Sequence, residues 1–330
     1  MNEQPVDRTH HDVAVVIPCL DEGETIAAVV SEFFDWLPGC RVYVFDNGSA
    51  DNTAAMAAQA GARVRTVSRR GKGVVVRRMF ADIDAAVYVM VDGDHTYDAS
   101  AAPALVQLVR DGHDMAVARR IASDMSAYRI GHTFGNRLLA GSVRWLFSAD
   151  PGDLLSGYRA LSNRFIKSFP AHSNGFETET ELSVHALRLH TPTVQIDSPY
   201  GARVEGSASK LRTYRDGARI ARTILRLVIN ERPLAVWSAF TVLCAFISLV
   251  LGQSVYREFL DTGLVPRFPT AFLAGFLMMV AIVSLGIGLI CDAIRVGRLE
   301  QLTLSYLAGR APDSSPVPVL DETVRGTTSL

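Results

Sequence analysis

Two carboxylates, Asp92 and Asp94, are the side chains of this sequence whose type and spacing most directly indicate chemistry. They follow the apolar run Val87–Val91, which is typical of a buried strand, and only Gly93 separates them. Two acids one residue apart at a strand end can both reach one hard divalent cation, whose other ligands would be water and phosphate oxygens. Asp-Gly-Asp is also an ordinary turn composition, so the motif alone leaves both interpretations open.

Two earlier segments of the chain end in the same way. Val13–Ile17 leads into a loop that contains Asp21 and Glu22, and Arg41–Phe45 leads directly into Asp46. Each apolar segment is followed by a helical pattern, which is the alternation of a parallel α/β sheet. Such sheets bind ligands at the carboxyl ends of their strands, so the sequence predicts an α/β fold with its polar groups gathered at that edge.

Five motifs in a fixed order carry a resemblance to a known family. They are Pro18-Cys-Leu-Asp21-Glu22, Asp46-Asn-Gly-Ser-Ala-Asp51-Asn-Thr53, Asp92-Gly-Asp94, Asp153-Leu-Leu-Ser-Gly-Tyr-Arg159 and Gly206-Ser-Ala-Ser-Lys210-Leu211. The first three resemble the nucleotide-sugar-binding domain of family 2 glycosyltransferases. The last two are similar to the polyprenyl-phosphate glycosyltransferases, the group that includes dolichyl-phosphate mannose synthase. The resemblance covers about residues 12–215 and implies a GT-A fold, which is a Rossmann-like nucleotide-sugar-binding domain.

The resemblance places the donor site at the three strand ends. The residues expected to contact the donor are Pro18, Leu20, Asp21, Glu22, Asp46, Asp92, Gly93 and Asp94. Asp92 and Asp94 would bind Mg²⁺ or Mn²⁺, which neutralises charge as the nucleoside diphosphate leaves. Pro18 is expected to end its strand, because proline cannot donate a ladder hydrogen bond. Thr96 stands where some relatives carry a glutamine ligand to the metal, and a threonine hydroxyl is a weaker ligand.

The resemblance also implies an acceptor site for a lipid phosphate. Its expected ligands are Arg120 and Arg129, with Arg119 as the less favoured neighbour, because arginine makes planar, two-pronged contacts with phosphate. Arg203 matches a family position that contacts the donor diphosphate, and Lys210 is expected to assist it. A lipid phosphate is already ionised near neutral pH, by analogy with phosphorylated side chains, so the site needs cations more than a strong general base. Asp94, Arg120 and Arg129 are therefore the expected catalytic residues.

Other polar segments leave alternatives open. The basic segment Arg69–Gly73 could contact the donor phosphates or form a solvated turn. Asp51 and Thr53 are expected to be structural, because the segment around them offers helix caps. Asp153 and Arg159 could lie on the acceptor side or could pair with each other to brace a loop.

Composition excludes several classes of function. The chain has 330 residues, of which 48% are hydrophobic, and its 33 basic side chains balance 34 acidic ones, so no bulk field favours nucleic acid. The four cysteines are scattered, which predicts neither a disulfide framework nor a zinc site. Glutamates 177, 179 and 181 precede His185, but no second histidine stands at metal spacing. The polar first twelve residues lack the apolar core of a signal peptide, so the amino-terminal domain is expected to stay in the cytoplasm.

The carboxyl-terminal third contains two uncharged apolar runs, residues 233–256 and 268–291. At about 1.5 Å per residue each reaches ~36 Å, enough to cross a hydrocarbon core of ~30 Å. A pair of buried helices in a soluble domain is the alternative. Residues 210–232 are rich in arginine, whereas the connector 257–267 has two basic residues offset by two acids, which places both termini in the cytoplasm.

A third membrane element is expected just before the first run. Arg215, Arg219, Arg222 and Arg226 fall on one helical stripe, and apolar residues fall on the opposite side. This pattern predicts an interfacial helix at the lipid headgroups, although a helix packed on its own domain would show the same pattern. The predicted divisions are a polar tail 1–12, a catalytic domain 13–210, the amphipathic helix 211–232, the first span 233–256, the connector 257–267, the second span 268–291 and a cytoplasmic tail 292–330.

The sequence therefore predicts an inverting, metal-dependent transferase. It would move a hexose from a nucleoside diphosphate sugar to undecaprenyl or dolichyl phosphate at the cytoplasmic face of the cell membrane. One alternative is a processive polysaccharide synthase, but its Gln-x-x-Arg-Trp motif is incomplete here, because Gly141 precedes Arg144-Trp145. Another alternative is a non-catalytic scaffold subunit, which the intact acids and Arg120 disfavour. Self-association through Gly275, Gly286 and Gly288 is left open.

The predicted topology can be tested in intact cells. A Thr262→Cys variant, made in a background that lacks Cys244 and Cys291, should react with a membrane-impermeant thiol reagent, because the connector faces outward. Reaction only after the membrane has been breached would reverse the orientation and place the active site on the wrong side.

Overall fold

The computed structural model describes residues 11–122, 130–149, 152–171, 178–201 and 213–311. The chain divides into two compact units, one formed by residues 1–211 with 302–330 and the other by residues 212–301. The first unit contains the predicted α/β domain. The second contains the amphipathic and apolar helices.

A seven-stranded mixed sheet forms the first unit. Its strands are β1 (His11–Cys19), β2 (Arg41–Asp46), β3 (Arg63–Thr66), β4 (Ala85–Met90), β5 (Met115–Ala122), β6 (Arg159–Ser162) and β7 (Thr193–Tyr200). The spatial order is β3-β2-β1-β4-β6-β5-β7. The predicted parallel strands β1, β2 and β4 are neighbours, and only β6 runs antiparallel to its neighbours, β4 and β5. Six strands therefore present their carboxyl ends at one edge, as the α/β prediction requires.

Pro18 does not end its strand, contrary to expectation. β1 continues to Cys19, and Pro18 lies opposite Phe45 of β2. Alternate residues of β1 bond to opposite neighbours: Val16 accepts from Val91 beyond β4, whereas Cys19 accepts from Asn47 beyond β2. The nitrogen of Pro18 therefore faces the β4 side, where strand pairing has already ended, so no ladder hydrogen bond is lost. β1 also begins at His11, inside the predicted polar tail.

Helices cover both faces of the sheet. Within the described residues they are α1 (Ile26–Trp36), α2 (Thr53–Gln59), α3 (Lys72–Asp82), α4 (Ala102–Arg110), α5 (Ile130–Phe147), α6 (Asn163–Ser168) and α7 (Thr178–Leu189). Alternate side chains of β1 enter different cores: Val15 and Ile17 pack with α1 and α4, whereas Ala14 and Val16 pack with α3, α6 and α7. Two buried cores thus hold the strands rigidly and leave their carboxyl ends for polar loops.

His185 belongs to the second of these cores. It is buried on α7, its ring packs edge-on against Phe165 and Phe169, and its Nε2 lies 2.9 Å from the hydroxyl of Ser168. Burial, together with the charge of Arg188, lowers the pKa of His185 to about 4. The side chain is therefore a neutral core residue.

Residues 302–311, which include the last turn of the second apolar helix, pack beside the amino end of β5. Asp114, fully buried just before β5, accepts hydrogen bonds from Ser162 and Arg164, and from the Tyr306 hydroxyl at 2.6 Å. The Arg164 guanidinium also lies 4.9 Å from the centroid of the Tyr306 ring. Any side chain larger than hydrogen at Gly309 would overlap the backbone of α6 at Arg164. Residues 302–311 are thus part of the catalytic unit.

The second unit consists of helices. They are α8 (Thr213–Glu231), α9 (Pro233–Thr262) and α10 (Phe268–Leu307), whose last turns belong to the first unit. In the described part of α8, Arg222 and Arg226 are exposed and Leu227 is buried, as the amphipathic pattern predicts. By length and composition, α9 and α10 could each cross a membrane.

Both apolar helices extend past the runs predicted from the sequence. α9 continues through the charged residues after Tyr256 and ends at Gly263, whose φ of 69° is the left-handed conformation that favours glycine at a helix end. α10 continues past Cys291 into the predicted tail. Charged residues end an apolar run but do not stop helix propagation, which explains the difference. The connector is therefore residues 263–267.

Small and polar residues pack α9 against α10. The Thr241 and Ser284 hydroxyls lie 2.8 Å apart, and Ser248 donates to the Ala274 carbonyl at 2.7 Å. A side chain at Gly288 would meet Trp237, whereas Gly275 and Gly286 face open space. Gly288 therefore serves packing within the hairpin of α9 and α10 rather than contact with a second copy.

Candidate active site

Four carboxylates converge at the carboxyl edge of the sheet. Cys19 lies close to all four: burial raises the pKa of its thiol, and the negative charges of Glu22, Asp46, Asp92 and Asp94 raise it further. Asp46 and Asp94 are themselves largely buried. The three strand ends that the sequence singled out thus form one acidic site.

Hydrogen bonds interlock the loop after β1 with the loop after β2. The Asp21 amide donates to the Ser49 hydroxyl, and Oδ1 of Asp21 accepts from the Ala50 amide at 2.7 Å. Further along, the Glu22 amide donates to the Thr53 hydroxyl at 2.8 Å. The Asp51 carboxylate accepts from the Gly23 amide at 2.9 Å. Thr53 and Asp51 therefore support the loop after β1 through its backbone, which agrees with the structural role expected of them.

Asn47 connects the second strand end to the basic segment. Its side-chain amide donates to the carbonyls of Val67 and Arg69, and its Oδ1 accepts from the Gly71 amide at 2.7 Å. All of these partners lie in the loop between β3 and α3. This role of Asn47 has no local signal in the sequence, because its partners are about 20 residues away and an Asn-Gly pair is typical of a turn.

Lys72 is the residue of the basic segment that reaches the acids. Its Nζ lies 2.5 Å from Oδ1 of Asp92 and 2.5 Å from Oε1 of Glu179 at the start of α7. Burial opposes the charged form, but the two carboxylates outweigh it and raise the pKa of Lys72. The segment is therefore not a solvated turn at Lys72. The sequence suggests Glu179 only as a candidate zinc ligand, and its ion pair with Lys72 could not be predicted from the local sequence.

The Asp92–Asp94 turn is held from both sides. The Thr25 hydroxyl donates to the Gly93 carbonyl at 2.6 Å, and a side chain at Gly93 would overlap the Cys19 sulfur. Thr96 donates its hydroxyl to Oδ1 of Asp94 at 2.7 Å. Thr96 therefore orients one carboxylate rather than standing as a separate ligand.

Arg120 lies at the carboxyl end of β5 and forms the basic part of the site. Its Nε and Nη2 each donate to Asp153 at 2.8 Å, and its guanidinium lies 5.5 Å from the centroid of the Tyr200 ring. Burial opposes both charges, but their pairing dominates, so the pKa of Arg120 is raised and the pKa of Asp153 is lowered. The neighbouring Arg119 is half-exposed and pairs with Asp197.

Arg159 does not pair with Asp153, which corrects one of the two alternatives left open. It is fully buried, and it donates to the carbonyls of Ser156 and Leu154 and to the Ser183 hydroxyl. Burial lowers its pKa. Arg159 therefore fixes the backbone of the loop that carries Asp153.

The same loop touches the acidic site. The Gly157 amide donates to the Tyr97 hydroxyl at 2.8 Å. A methyl group on Gly157 would overlap Oδ2 of Asp92 and lie 3.0 Å from its Cγ. The loop 153–157 thus contacts both Arg120 and Asp92.

Three predicted site residues, Arg129, Arg203 and Lys210, lie outside the described residues. Among the described residues, no group of three or more His, Cys, Asp or Glu side chains is arranged to hold a metal ion. The acidic turn therefore offers two carboxylates, and further ligands would have to come from elsewhere.

The fold and the site together define a nucleotide-sugar glycosyltransferase domain of the GT-A type. Residues 14–164 match the family described as Glycosyl transferase family 2. Glycosyltransferase AglJ of Haloferax volcanii is 35% identical over 226 residues, which are 67% of this chain and 74% of that protein. The chain belongs to glycosyl transferase family 2, and the sequence-based prediction of the family is confirmed. It is a glycosyltransferase that uses a nucleotide-sugar donor.

Two further similarities agree with this assignment. The dolichyl-phosphate hexose transferase of Haloferax volcanii is 27% identical over 224 residues, which are 68% of this chain and 97% of that protein. Glucosyl-3-phosphoglycerate synthase from Mycobacterium tuberculosis, solved with Mn²⁺, UDP-glucose and phosphoglyceric acid, superimposes with a TM-score of 0.53 at 22% identity. That superposition covers 67% of this chain and 79% of the solved one, and it confirms the fold.

Gly157 offers a test of the contact between loop 153–157 and the acidic site. In Gly157→Ala the added methyl group would displace the Asp92 carboxylate, so we expect glycosyl transfer to fall at least about tenfold, as for other misplaced site groups. Gly141→Ala is the matched control, because a methyl group there meets only open space on a helix. Transfer rates and melting temperatures of both variants should be measured. Equal activity of the two variants at equal stability would contradict the contact.

Proposed function

We propose that the enzyme transfers a hexose, with inversion, from a nucleoside diphosphate sugar to a polyprenyl phosphate, either undecaprenyl or dolichyl phosphate. The observation that carries the proposal is the Arg120 guanidinium, which is partly buried beside the acidic site and donates two parallel hydrogen bonds to the Asp153 carboxylate. A guanidinium held in this way is oriented for a two-pronged contact with the oxygens of a phosphate. The name of the Haloferax volcanii dolichyl-phosphate hexose transferase supports a hexose and a lipid phosphate.

The acceptor would bind by exchange at Arg120. A phosphate oxyanion that takes the two donors of Arg120 must displace the Asp153 carboxylate, since both ligands use the same Nε and Nη2. The Tyr200 ring, which lies under the guanidinium, would hold the Arg120 side chain in position during this exchange of ligands. Arg129 is proposed as the second phosphate ligand, and Arg203 with Lys210 as contacts to the donor diphosphate.

The donor would bind at the acidic edge. The interlocked loops that carry Pro18, Leu20, Asp21 and Glu22, together with Asp46, would hold the nucleoside. Lys72 lies beside Asp92 and could contact the diphosphate when Asp92 turns to a metal. The carboxylate oxygens of Asp92 and Asp94 fit Mg²⁺ or Mn²⁺, with diphosphate and water oxygens as the remaining ligands. The cation would neutralise charge on the leaving nucleoside diphosphate.

The proposed location is the cell membrane, with two crossings and a cytoplasmic catalytic domain. Support comes from the contact between Tyr306 and Asp114, which places the end of α10 in the catalytic unit. A chain that leaves this unit before α8 and returns to it after α10 must cross the bilayer an even number of times. Crossings by α9 and α10 satisfy that condition.

Asp94→Asn tests the metal. The variant loses a charged ligand, so we expect turnover to fall on the order of 10²-fold or more, and Mn²⁺ affinity measured by calorimetry to fall with it. Asp98→Asn is the matched control, because Asp98 only caps a short helical turn through the Ser100 amide. Near-normal turnover of Asp94→Asn in the presence of a chelator would refute the metal assignment.

Arg120 variants test the acceptor. Purified enzyme incubated with nucleotide sugars and undecaprenyl phosphate should give a glycosylated lipid phosphate, identified by mass. Arg120→Ala should weaken use of that lipid while nucleotide-sugar affinity, measured by calorimetry, stays nearly unchanged. Arg120→Lys should rescue poorly, because a point charge cannot reproduce a two-pronged contact.

Two controls separate binding from stability. Arg119→Ala removes the adjacent, half-exposed arginine and should leave lipid use intact. Arg120→Ala leaves the partly buried Asp153 without its cationic partner, which costs stability, so Arg120→Ala/Asp153→Ala should restore the melting temperature without restoring transfer. Equal loss of donor affinity and lipid use in the double variant would assign Arg120 to the donor site, and no lipid product from the wild type would refute the acceptor.

A further inference from the structure

Tyr97 joins the acidic part of the site to the basic part. Its backbone pairs with Tyr200 in an isolated antiparallel bridge, and the Gly201 amide donates to the Thr96 carbonyl at 2.8 Å. The Tyr97 ring packs edge-on against the Tyr200 ring, with the ring centroids 5.1 Å apart. The Tyr200 ring in turn lies under the Arg120 guanidinium. The segment that follows the acidic turn is therefore tied directly to the ring that supports Arg120.

The Tyr97 hydroxyl is enclosed and keeps its proton. The residue is 8% exposed, and its hydroxyl oxygen accepts a hydrogen bond from the Gly157 amide at 2.8 Å. Burial raises the pKa of Tyr97, and the negative charge of Asp92 raises it further. The charge of Arg120 and the amide hydrogen bond act in the opposite sense, but burial dominates. The phenol is therefore protonated at neutral pH and is a hydrogen-bond donor.

The described part of the chain does not use this donor. A tyrosine hydroxyl can donate one hydrogen bond while it accepts another. The buried Tyr88 does both, since it accepts from the Ala85 amide and donates to the Ile83 carbonyl. Tyr97 accepts from Gly157, and no described residue accepts its proton. A largely buried donor that the protein leaves unused is available to an acceptor oxygen of a ligand.

The charges that act on the hydroxyl indicate which ligand this is. They are those of Asp92, a proposed metal ligand, and of Arg120, the proposed acceptor ligand. The hydroxyl thus lies near the junction where the acceptor phosphate would meet the donor diphosphate. A phosphate that occupies the two donors of Arg120 has further oxygens that need partners, and a neutral phenol suits one of them. The donor diphosphate would already be held by the metal and Lys72.

We infer that the Tyr97 hydroxyl is a further catalytic group, which donates a hydrogen bond to a phosphate oxygen of the acceptor bound at Arg120. The phenol keeps its proton and orients the phosphate so that another of its oxygens faces the anomeric carbon of the donor. That oxygen forms the new carbon–oxygen bond, while the bond from the anomeric carbon to the nucleoside diphosphate breaks and its electron pair leaves with the diphosphate. The inference rests on the proposed function, because it assigns a further ligand to the same acceptor phosphate.

Tyr97→Phe tests the hydroxyl and keeps the ring, which packs between Tyr158 and Tyr200. Tyr158→Phe is the matched control, because its ring is the neighbouring one, 5.5 Å away. The Tyr158 hydroxyl is fully buried without a hydrogen-bond partner, and the charge that acts on it is that of Asp98. For both full-length variants and the wild type, calorimetry measures the binding of Mn²⁺ and of farnesyl phosphate, a short polyprenyl phosphate. Melting temperature and transfer to undecaprenyl phosphate are measured on the same samples.

In Tyr97→Phe we expect farnesyl phosphate to bind about tenfold more weakly, and KM for undecaprenyl phosphate to rise about tenfold, as for the loss of one hydrogen bond to a charged group. Mn²⁺ affinity, and hydrolysis of the donor in the absence of lipid, should stay nearly unchanged. Tyr158→Phe should alter none of these quantities. Unchanged lipid binding in Tyr97→Phe would overturn the inference. A matching loss of Mn²⁺ affinity and donor hydrolysis would also overturn it, since the hydroxyl would then act only by supporting Gly157 and Asp92.

A double-mutant cycle with Arg120 gives a second, independent test. If Tyr97 and Arg120 hold one phosphate, their effects on kcat/KM for the lipid are not additive, so Tyr97→Phe should have little further effect in Arg120→Ala. Additive effects would assign the two residues to separate sites and overturn the inference. If the wild type neither binds nor glycosylates a lipid phosphate, the proposed function fails and the role of Tyr97 fails with it. A wild type that does both, matched by Tyr97→Phe, refutes the role of Tyr97 alone.

Discussion

Everything at the carboxyl edge of this sheet depends on the neutralisation of four converging carboxylates. The charges of Glu22, Asp46, Asp92 and Asp94 all act on the buried thiol of Cys19, and like charges brought together in partly buried surroundings repel strongly. Two devices offset that repulsion. An amide and two hydroxyls donate hydrogen bonds to the carboxylates of Asp46 and Asp94, and the Lys72 ammonium lies between Asp92 and Glu179. The negative charge that remains at this edge of the sheet favours the binding of a cation.

The loop 153–157 connects this acidic site to the basic one. At one end Asp153 holds the Arg120 fork, and at the other Gly157 lies against the Asp92 carboxylate. Arg159 supports the loop from inside with hydrogen bonds to two of its carbonyls. Among the described residues Arg159 donates to neutral groups, and a buried guanidinium without a paired carboxylate is costly, so this position constrains the loop tightly. Displacement of Asp153 by an anion at Arg120 would therefore strain the same short segment that limits the space around Asp92.

Local patterns in the sequence were sufficient for the parts of the fold that local physics determines. The apolar strands β1, β2 and β4, the acids at their ends and the two long apolar helices were all predicted from runs and periodicity. Contacts between distant segments could not be predicted in this way. The residues near Lys72 do not indicate that Glu179 is its partner, and the residues near Arg120 do not indicate Asp153. Several carboxylates could pair with each cation as far as the local sequence shows, and tertiary packing determines which of them does. The antiparallel β6 and the contact of Tyr306 with Asp114, 192 residues apart, belong to the same class.

The near-neutral net charge of the chain bears on how the enzyme can bind anionic substrates. A formal net charge of −1 offers no long-range attraction to a polyanion, and exposed charges are screened beyond about 8–10 Å at physiological salt. Anionic substrates must therefore be recognised at short range. We propose that the enzyme does this by separating its charges within one site, with acids at the ends of β1, β2 and β4 and the partly buried Arg120 at the end of β5. These charges act over only a few ångströms. Within that range the Asp153 carboxylate pairs with Arg120 and the Lys72 ammonium pairs with Asp92, so charged groups of the substrates would compete with Asp153 and Lys72 for the same partners.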